Sequence, residues 1–340
     1  MKLGIIGLPQ SGRSTIFAAL SGARGEASKK DQRVSTIKVM DERIDFLSRM
    51  YKPKKTSYAQ VEYLLPSESM GGGSENAIWN QVRICDALIH VVRNFPDAMG
   101  TAPGSRADLR RLDEEMILND LVVVDKRIER IELDLKRGKI SDENEYPLLK
   151  SCKELLENGK PLRVSPDLAA SPLLRGFTLL SAKPQLVIVN NDDDNESLPE
   201  WETSQENIEL CMVRGRLEME IASMTAEEAK EFLVEYRIEK SVLDRIIINS
   251  YKILNLISFF TVGDDEVKAW TIVRSTPALE AAGEIHTDMQ KGFIRAEVLS
   301  FDDLKEYGSF RDAKGAGRVR LEGKEYIVQD GDIINFRFNV

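Results

Sequence analysis

Residues 3–15, LGIIGLPQSGRST, constrain the fold of this chain more than any other segment. Lys2–Ile6 is a short apolar run typical of a buried strand, and Ser14–Ser21 has the apolar spacing of a helix. Gly7 and Gly12 lie between them and allow the backbone to turn so that consecutive N–H groups face one point. Because these groups lie at the positive end of a helix, the segment predicts a phosphate-binding loop. A glycine turn without a ligand is the alternative.

The candidate phosphate ligands are consecutive residues of this loop: Gly7, Leu8, Pro9, Gln10, Ser11, Gly12, Arg13, Ser14 and Thr15. Ser14 is also the candidate metal ligand, since its hydroxyl would bind the Mg²⁺ ion that accompanies ATP or GTP. Arg13 stands where such loops usually carry lysine. A guanidinium is longer, planar and permanently charged, so it can bind phosphate but not from the position of a lysine ammonium. We therefore expect nucleotide binding with altered catalytic geometry.

The composition limits the other classes of function. With 340 residues, of which 42% are apolar, the chain is long enough for two or three domains with real cores. A formal charge of −9 argues against nucleic-acid binding by the whole surface, although one basic face could meet RNA. The three cysteines are far apart without metal spacing, which predicts buried thiols and no zinc site. Without a signal peptide or a membrane-spanning run, we expect a cytoplasmic protein with no membrane partner.

The remaining apolar runs predict a parallel sheet followed by a β-rich end. Runs of strand type alternate with helical stretches, which is typical of an α/β fold; they lie at Gln60–Leu65, Ala87–Val92, Leu186–Val189 and Ile208–Val213. The last eighty or so residues read instead as a small β domain, with strands predicted at Val267–Val273, Phe293–Val298, Arg318–Leu321, Tyr326–Val328 and Ile333–Phe338.

A heptad pattern interrupts this alternation between residues 109 and 156. Apolar residues repeat at spacings of three and four, as in a helix that packs along one stripe: Ile117, Leu121, Val124, Ile128, Ile131 and Leu135. Gly138 breaks the pattern, and a shorter stripe returns through Tyr146, Leu149, Cys152 and Leu156. We predict an inserted antiparallel helical hairpin, either a structural arm or dimer contact or a partner-binding arm.

The C-terminal residues carry a resemblance to a known family. Residues 281–298 and 321–340 closely resemble the TGS domain of the YchF (Obg-like ATPase) family, a translation-factor class of P-loop proteins, and the similarity runs almost end to end. It implies a Ras-like P-loop nucleotide-binding domain at residues 1–108 and 172–255, a helical hairpin at 109–171 and a β-rich TGS (β-grasp) domain at 256–340. It also implies association with ribosomes, through the TGS and helical domains, and hydrolysis of ATP in preference to GTP.

Two departures from the family fall on residues that serve hydrolysis. Arg13 replaces the lysine of the loop. After the strand Gln60–Leu65 the family has Asp-x-x-Gly, whereas this chain has Leu65 and Glu68 at the two positions. By the resemblance, the aspartate of the family holds a water molecule bound to the metal, and the glycine senses the γ-phosphate. Both functions are therefore expected to be lost.

Two further departures lie in loops. The switch segment, residues 23–33, is shortened, and Lys29 and Lys30 stand near the expected metal-binding threonine. The loop at residues 94–105 lacks the catalytic histidine that the family carries there. Since missing elements of this kind cost on the order of a thousandfold each in phosphoryl transfer, the sequence predicts weak or no intrinsic hydrolysis.

The predicted base-binding residues are Asn190 and Asp193, in the Asn-Asn-Asp-Asp turn after the strand Leu186–Val189. The family resemblance places a base-binding Asn-x-x-Asp/Glu motif here. An aspartate is typical of guanine recognition and a glutamate of the adenine-binding members, but the lysine of the guanine motif is absent. The choice between ATP and GTP stays open.

The leading hypothesis is a purine-nucleotide (ATP/GTP) binding protein, associated with ribosomes or translation, with weak or absent hydrolysis. One alternative is an active ATPase or GTPase in which Arg13 acts as an arginine finger and Glu68 holds the metal. Another is a scaffold that binds no nucleotide. Neither histidine is expected to catalyse the reaction, since His90 lies within an apolar strand and His286 within the TGS-like segment, where a binding or structural role fits.

Overall fold

A computed structural model of the chain describes residues 1–22, 33–67, 76–138, 143–201, 208–235 and 242–339. By their contacts the residues form two compact units, the first from 1–37 and 62–253 and the second from 38–61 and 254–340. Lys29, Lys30 and Glu68 lie outside the described residues. The domain boundaries at 108, 171 and 255 stay predictions.

The strands are β1 (Lys2–Ile6), β2 (Arg33–Lys38), β3 (Lys55–Ser57), β4 (Gln60–Leu65), β5 (Ala87–Asn94), β6 (Gln185–Asn191), β7 (Ile208–Val213), β8 (Leu256–Thr261), β9 (Glu266–Val273), β10 (Phe293–Ser300), β11 (Arg320–Glu322) and β12 (Asp332–Phe338). The helices are α1 (Arg13–Ser21), α2 (Glu42–Tyr51), α3 (Asn76–Val82), α4 (Ser105–Lys136), α5 (Glu145–Glu157), α6 (Pro166–Ala169), α7 (Gly215–Ser223), α8 (Ala226–Glu235), α9 (Val242–Ile253), α10 (Ala278–Ile285), α11 (Thr287–Lys291), α12 (Phe301–Tyr307) and α13 (Phe310–Gly315).

The first unit is built on a sheet with the strand order β2-β4-β1-β5-β6-β7. β1 pairs in parallel with β4 and β5, and β5, β6 and β7 continue the parallel ladder. This confirms the predicted α/β fold. Because the strands run in parallel, the loop after β1 and the ends of β5 and β6 lie at one edge of the sheet, where ligands of such folds bind.

The helical hairpin is present as α4 and α5, which share a buried cluster with residues before β6. Ile117, Val124, Ile128 and Ile131 are buried there, as expected. Leu135 is 50% exposed, so the prediction that it faces inward is wrong. The reason is position, because α5 begins at Glu145, which pairs with Arg127, so the last turn of α4 extends beyond the start of α5.

A buried carboxylate ties α4 to the segment before β6. Asp120 is fully buried, and its two oxygens accept the backbone N–H groups of Leu180 and Ser181 at 2.9 and 2.7 Å. Burial raises the pKa of Asp120, and the two hydrogen bonds oppose that shift because they favour the ionised form. Asp120 therefore anchors the helix at a defined point along its length.

The second unit is built on a sheet with the order β11-β10-β12-β8-β9-β3. α10 packs on one face, where Ala282, Phe259 and Phe336 are buried. The predicted strand Tyr326–Val328 is wrong, because its backbone makes only an isolated bridge at Ile327. Residues between β2 and β4 also belong here, since β3 pairs in parallel with β9.

His286 ends α10 and caps α11, accepting the N–H of Asp288 through Nδ1 at 3.1 Å. Its role in the described structure is that of a helix cap. Among the described residues, no helix has the length and apolar character needed to cross a membrane.

Candidate functional site

The loop between β1 and α1 turns tightly against the neighbouring strands. A Cβ on Gly7 would lie 2.5 Å from the carbonyl oxygen of Val91 in β5, so only glycine fits. Gln10 adopts a left-handed conformation with φ 65°, and the N–H of Ser11 donates to the carbonyl of Leu8 at 3.2 Å. The sequence pattern of strand, glycine loop and helix therefore has the predicted local geometry.

Gly12 caps α1 and is the most constrained residue of the loop. Its φ of 96° is left-handed, and a Cβ at this position would overlap the amide nitrogen of Asn190. The first turn of α1 contains no acidic side chain. The helix therefore presents its N–H groups and positive dipole end without a built-in counter-charge, which favours an anion.

Asn190 connects this loop to two other parts of the unit. The side chain is 4% exposed, its Nδ2 donates to the carbonyl of Ser11 at 3.0 Å, and its Oδ1 accepts the N–H of Gly215 at 3.0 Å. Gly215 begins α7, where a Cβ would lie 2.7 Å from that same Oδ1. The residue predicted to bind the base thus also holds the phosphate loop in position, which its sequence motif alone did not reveal.

Asp193 lies three residues further along, beside the end of β7. Its Oδ1 is buried without a hydrogen-bond partner, and its Oδ2 is 4.0 Å from Nε of Arg216. The backbone carbonyl of Asp193 accepts from Arg214 at 3.3 Å. A buried carboxylate oxygen without a partner is costly, so a hydrogen-bond donor that reached this atom would be favoured.

Arg13 is 7% exposed, and its Cγ would be 3.1 Å from a Cβ on Gly7. It lines a cavity of about 290 Å³ together with Leu8, Trp79 and Glu115. Its side chain therefore packs beneath the loop, between β1 and the helices α3 and α4. Because it is enclosed in this way, we expect it to hold the loop more than to reach freely over a bound phosphate.

Ser14 is exposed at the start of α1, and its Oγ accepts a hydrogen bond from Arg33 at 3.3 Å. Mg²⁺ binds oxygen at about 2.1 Å. An ion on this hydroxyl would thus lie within about 5.4 Å of a guanidinium nitrogen. Two cations this close repel strongly at the effective dielectric of a protein surface.

The second position at which the family would hold the metal, that of its Asp-x-x-Gly aspartate, carries no acidic side chain in this protein. Leu65, which stands where the family has aspartate, ends β4 and is 5% exposed. No cluster of three or more acidic, histidine or cysteine side chains that could hold a metal occurs in the part of the chain that the structure describes. The described side chains around Ser14 therefore do not fit a protein-held Mg²⁺ ion.

The ends of β5 and β6 are joined by polar contacts that the sequence did not predict. Nδ2 of Asn94 donates to Oδ1 of Asn191 at 2.8 Å, and the hydroxyl of Ser105 donates to Oδ1 of Asn94 at 2.8 Å. Asn191 in turn holds the following turn by donating to the carbonyls of Asn195 and Ser197. Ser105 begins α4, so the first residue of the hairpin is attached to the edge of the sheet.

His90 lies in the middle of β5 and is fully buried, which confirms its predicted core position. Its Nδ1 is 3.1 Å from Nε2 of Gln185. Burial, together with the smaller effect of the Arg163 charge, lowers the pKa of His90 to about 3. At neutral pH the imidazole is uncharged and away from solvent.

Comparison with known proteins gives matches over the whole chain. A family described as "YchF-GTPase_C: Protein of unknown function (DUF933)" matches residues 256–339. The chain is similar to the "Ribosome-binding ATPase YchF" of Bacillus subtilis, with 37% identity over all of both chains. It is also 37% identical to "Obg-like ATPase 1" of Oryza sativa subsp. japonica, over 100% of this chain and 92% of that one.

Among solved structures, the chain resembles that described as "Structure of the Schizosaccharomyces pombe YchF GTPase". The TM-score is 0.85 and the identity 30%, with 99% of this chain and 97% of the other covered. Sequence and fold comparisons therefore point to the same group of proteins.

Proposed function

Since this chain belongs to the family of YchF and Obg-like ATPases, we propose that it binds a purine nucleoside triphosphate, associates with ribosomes and hydrolyses the nucleotide slowly or not at all. The observation that carries the nucleotide site is the contact between Gly12 and Asn190, which keeps the loop turned around the start of α1. Residues 7–15 form the phosphate-binding segment, and Asn190 and Asp193 receive the base.

The base side of the site is supported by the orphaned oxygen of Asp193. The amide of Asn190 is held by two backbone partners, which fixes its plane and its distance from the loop. An aspartate with a free oxygen can accept the donors of guanine, and a neighbouring amide can serve adenine. The relatives' names include both ATPase and GTPase, and we propose that both nucleotides bind.

Weak hydrolysis is supported by what the described residues lack. Leu65 supplies no carboxylate, and Arg13 is enclosed beneath the loop. His90 is excluded from proton transfer with solvent by its burial. An active enzyme would need Glu68, which is outside the described residues, to hold the metal.

The test is a titration of the purified full chain with fluorescent ATP and GTP analogues, with phosphate release followed in the same samples. We expect saturable binding that unlabelled nucleotide displaces. Release should be on the order of a thousandfold or more slower than from the Bacillus subtilis relative, because positioning elements are missing. Gly12→Val protein, prepared identically, controls for contaminating hydrolases.

The outcomes separate the three hypotheses. Binding with slow release supports the proposal. Phosphate release at the rate of the relative supports the hypothesis of an active ATPase or GTPase. Arg13→Ala and Glu68→Ala would then each abolish phosphate release. If neither nucleotide binds, the result supports the hypothesis of a scaffold without a nucleotide.

Ribosome association is supported by the printed names of the relatives, which include "Ribosome-binding ATPase". We propose that the C-terminal TGS domain at 256–340 and the hairpin at 109–171 make the contact, with 1–108 and 172–255 as the nucleotide domain. A ribosomal partner supports a cytoplasmic location. Arg295, exposed on β10, is a candidate contact. Co-sedimentation with ribosomes should fall for Arg295→Glu and persist for Lys305→Glu, a matched charge reversal on the exposed face of α12.

A further inference from the structure

Arg33 is fixed beside the start of α1 by two contacts. Its NH2 group donates to the Ser14 hydroxyl at 3.3 Å, and its guanidinium carbon lies 5.3 Å from the ring centroid of Phe17. Ser14 and Phe17 are three residues apart and share one face of the helix. The guanidinium is therefore positioned by stacking as well as by a hydrogen bond.

The charge at this point is not balanced by the described residues. The first turn of α1 has no acidic side chain, and Arg33 forms no ion pair with any carboxylate among the residues that the structure describes. A cation near the positive end of a helix is unfavourable unless an anion is close. A polyanion bound at the loop would offset this charge.

A guanidinium matches the chemistry of a polyphosphate. It presents several N–H donors in one plane, so that one can bind Ser14 while others bind phosphate oxygens. At the same time it lies where it repels a metal ion bound to that hydroxyl. The buried Leu65 adds no carboxylate that would favour the metal.

We infer that Arg33 takes the place of the Mg²⁺ ion, so that this chain binds a nucleoside triphosphate without a divalent cation. The inference rests on the proposed nucleotide binding and specifies how the phosphate charge is neutralised. It assigns Arg33 to phosphate binding and Ser14 to holding Arg33.

The test compares the dissociation constants of fluorescent ATP and GTP analogues for the full chain in excess MgCl₂ and in EDTA. The wild-type values should differ by less than about threefold. Arg33→Ala should weaken binding in EDTA by about tenfold or more, the size of a charge-assisted hydrogen bond, and Mg²⁺ should restore part of the loss. Arg33→Lys keeps the charge without the planar fork, so its dissociation constant in EDTA should lie between those of the wild type and of Arg33→Ala.

Arg130→Ala is the matched control, since it removes one exposed positive charge of α4 and should change neither constant. Thermal unfolding identifies a variant that fails to fold, in which case Arg33→Lys decides. A wild-type protein that binds only with Mg²⁺ overturns the inference and leaves the proposed function standing. So does metal-independent binding that Arg33→Ala leaves unchanged. Absence of binding in both buffers overturns the proposed function and this inference together.

Discussion

The loop side and the switch side of the candidate site are built in different ways. On the loop side, Gly7 and Gly12 approach the carbonyl of Val91 and the amide of Asn190 so closely that a side chain would not fit. On the switch side, the position of the expected aspartate is a buried leucine, and the hydroxyl of Ser14 faces a guanidinium.

Some parts of such a site can therefore be lost without loss of the fold, and others cannot. Loop residues are interlocked with β5, β6 and α7, so replacing them disturbs the sheet as well as any ligand. Catalytic residues of the switch side are single side chains, whose replacement leaves the sheet intact. Replacing a loop residue is therefore expected to affect both the packing of the sheet and the binding of a ligand. The following variants distinguish these two effects.

The largest effect is expected from Gly12→Val. The new side chain overlaps Asn190 in a left-handed conformation, so nucleotide affinity should fall by about a hundredfold or more. Titration with the fluorescent analogues measures it. Gly159 also has a positive φ, of 67°, but faces open space, so Gly159→Ala should cost about 1 kcal/mol of unfolding free energy and no affinity. Equal affinity for both variants would break the comparison.

Asn190→Ala tests whether the loop depends on its side-chain support. Removal of the amide leaves the carbonyl of Ser11 and the N–H of Gly215 without their partner, which should lower the unfolding free energy by about 2–3 kcal/mol. Nucleotide affinity should fall about tenfold or more for ATP and GTP alike. Urea denaturation and titration measure the two effects. Asn158→Ala, which removes an exposed amide from the end of α5, is the control and should change neither by much.

Asp193→Asn sharpens the comparison on the base side. If its buried oxygen receives the guanine donors, the affinity for GTP relative to ATP should fall by about tenfold, because an amide cannot accept at both atoms. Competition of unlabelled GTP and ATP against one fluorescent analogue gives the ratio. Asp194→Asn, exposed in the same turn, should leave it unchanged. An unaltered ratio in both variants would remove Asp193 from base recognition.

The smallest effect on binding is expected from His90→Gln, which should change nucleotide affinity little. The folded pKa of about 3 lies below the ordinary value of 6.5, so the unfolded chain binds a proton that the folded chain does not. The free energy of unfolding therefore decreases as the pH falls below about 6.5, by about 2 kcal/mol between pH 7.5 and pH 5, because only the unfolded chain takes up this proton.

Urea denaturation at several pH values should show that slope in the wild type and a flatter one in His90→Gln. His286→Gln is the control, because it replaces the one other histidine of the sequence, whose exposed ring lies at a helix cap. If His286→Gln flattens the slope and His90→Gln does not, the pH dependence of the unfolding free energy belongs to His286.

Local patterns in the sequence predicted the parts of the fold that depend on near neighbours. β1, β4 and β7 have their expected bounds, because apolar runs between turn residues leave little choice. The glycine spacing predicted the loop, and the apolar surroundings of His90 predicted its burial. The strand at Tyr326–Val328 failed because a short apolar segment is equally suited to a single bridge.

Contacts between distant residues could not be predicted in the same way. Asn190 and Ser11 are 179 positions apart, and nothing in the local pattern of either indicates the other. Arg33 was recognised only as the end of a shortened switch segment, because its meeting with Ser14 depends on where β2 begins. The pairing of β3 with β9, which joins residues 55–57 to the second unit, could not be predicted for the same reason, since the two strands are far apart in the sequence.

Helix α4 can finally be considered as a mechanical beam with two clamps. Ser105 is hydrogen-bonded to the ends of β5, and Asp120 is hydrogen-bonded to the segment before β6. At about 1.5 Å per residue, the clamps are about 22 Å apart, and the part of α4 beyond Asp120, which packs along α5, is about 24 Å long. If the helix turned about Asp120, the two lengths on either side would be nearly equal, so a displacement of Ser105 at the edge of the sheet would move the end of α4 by a similar distance in the opposite direction.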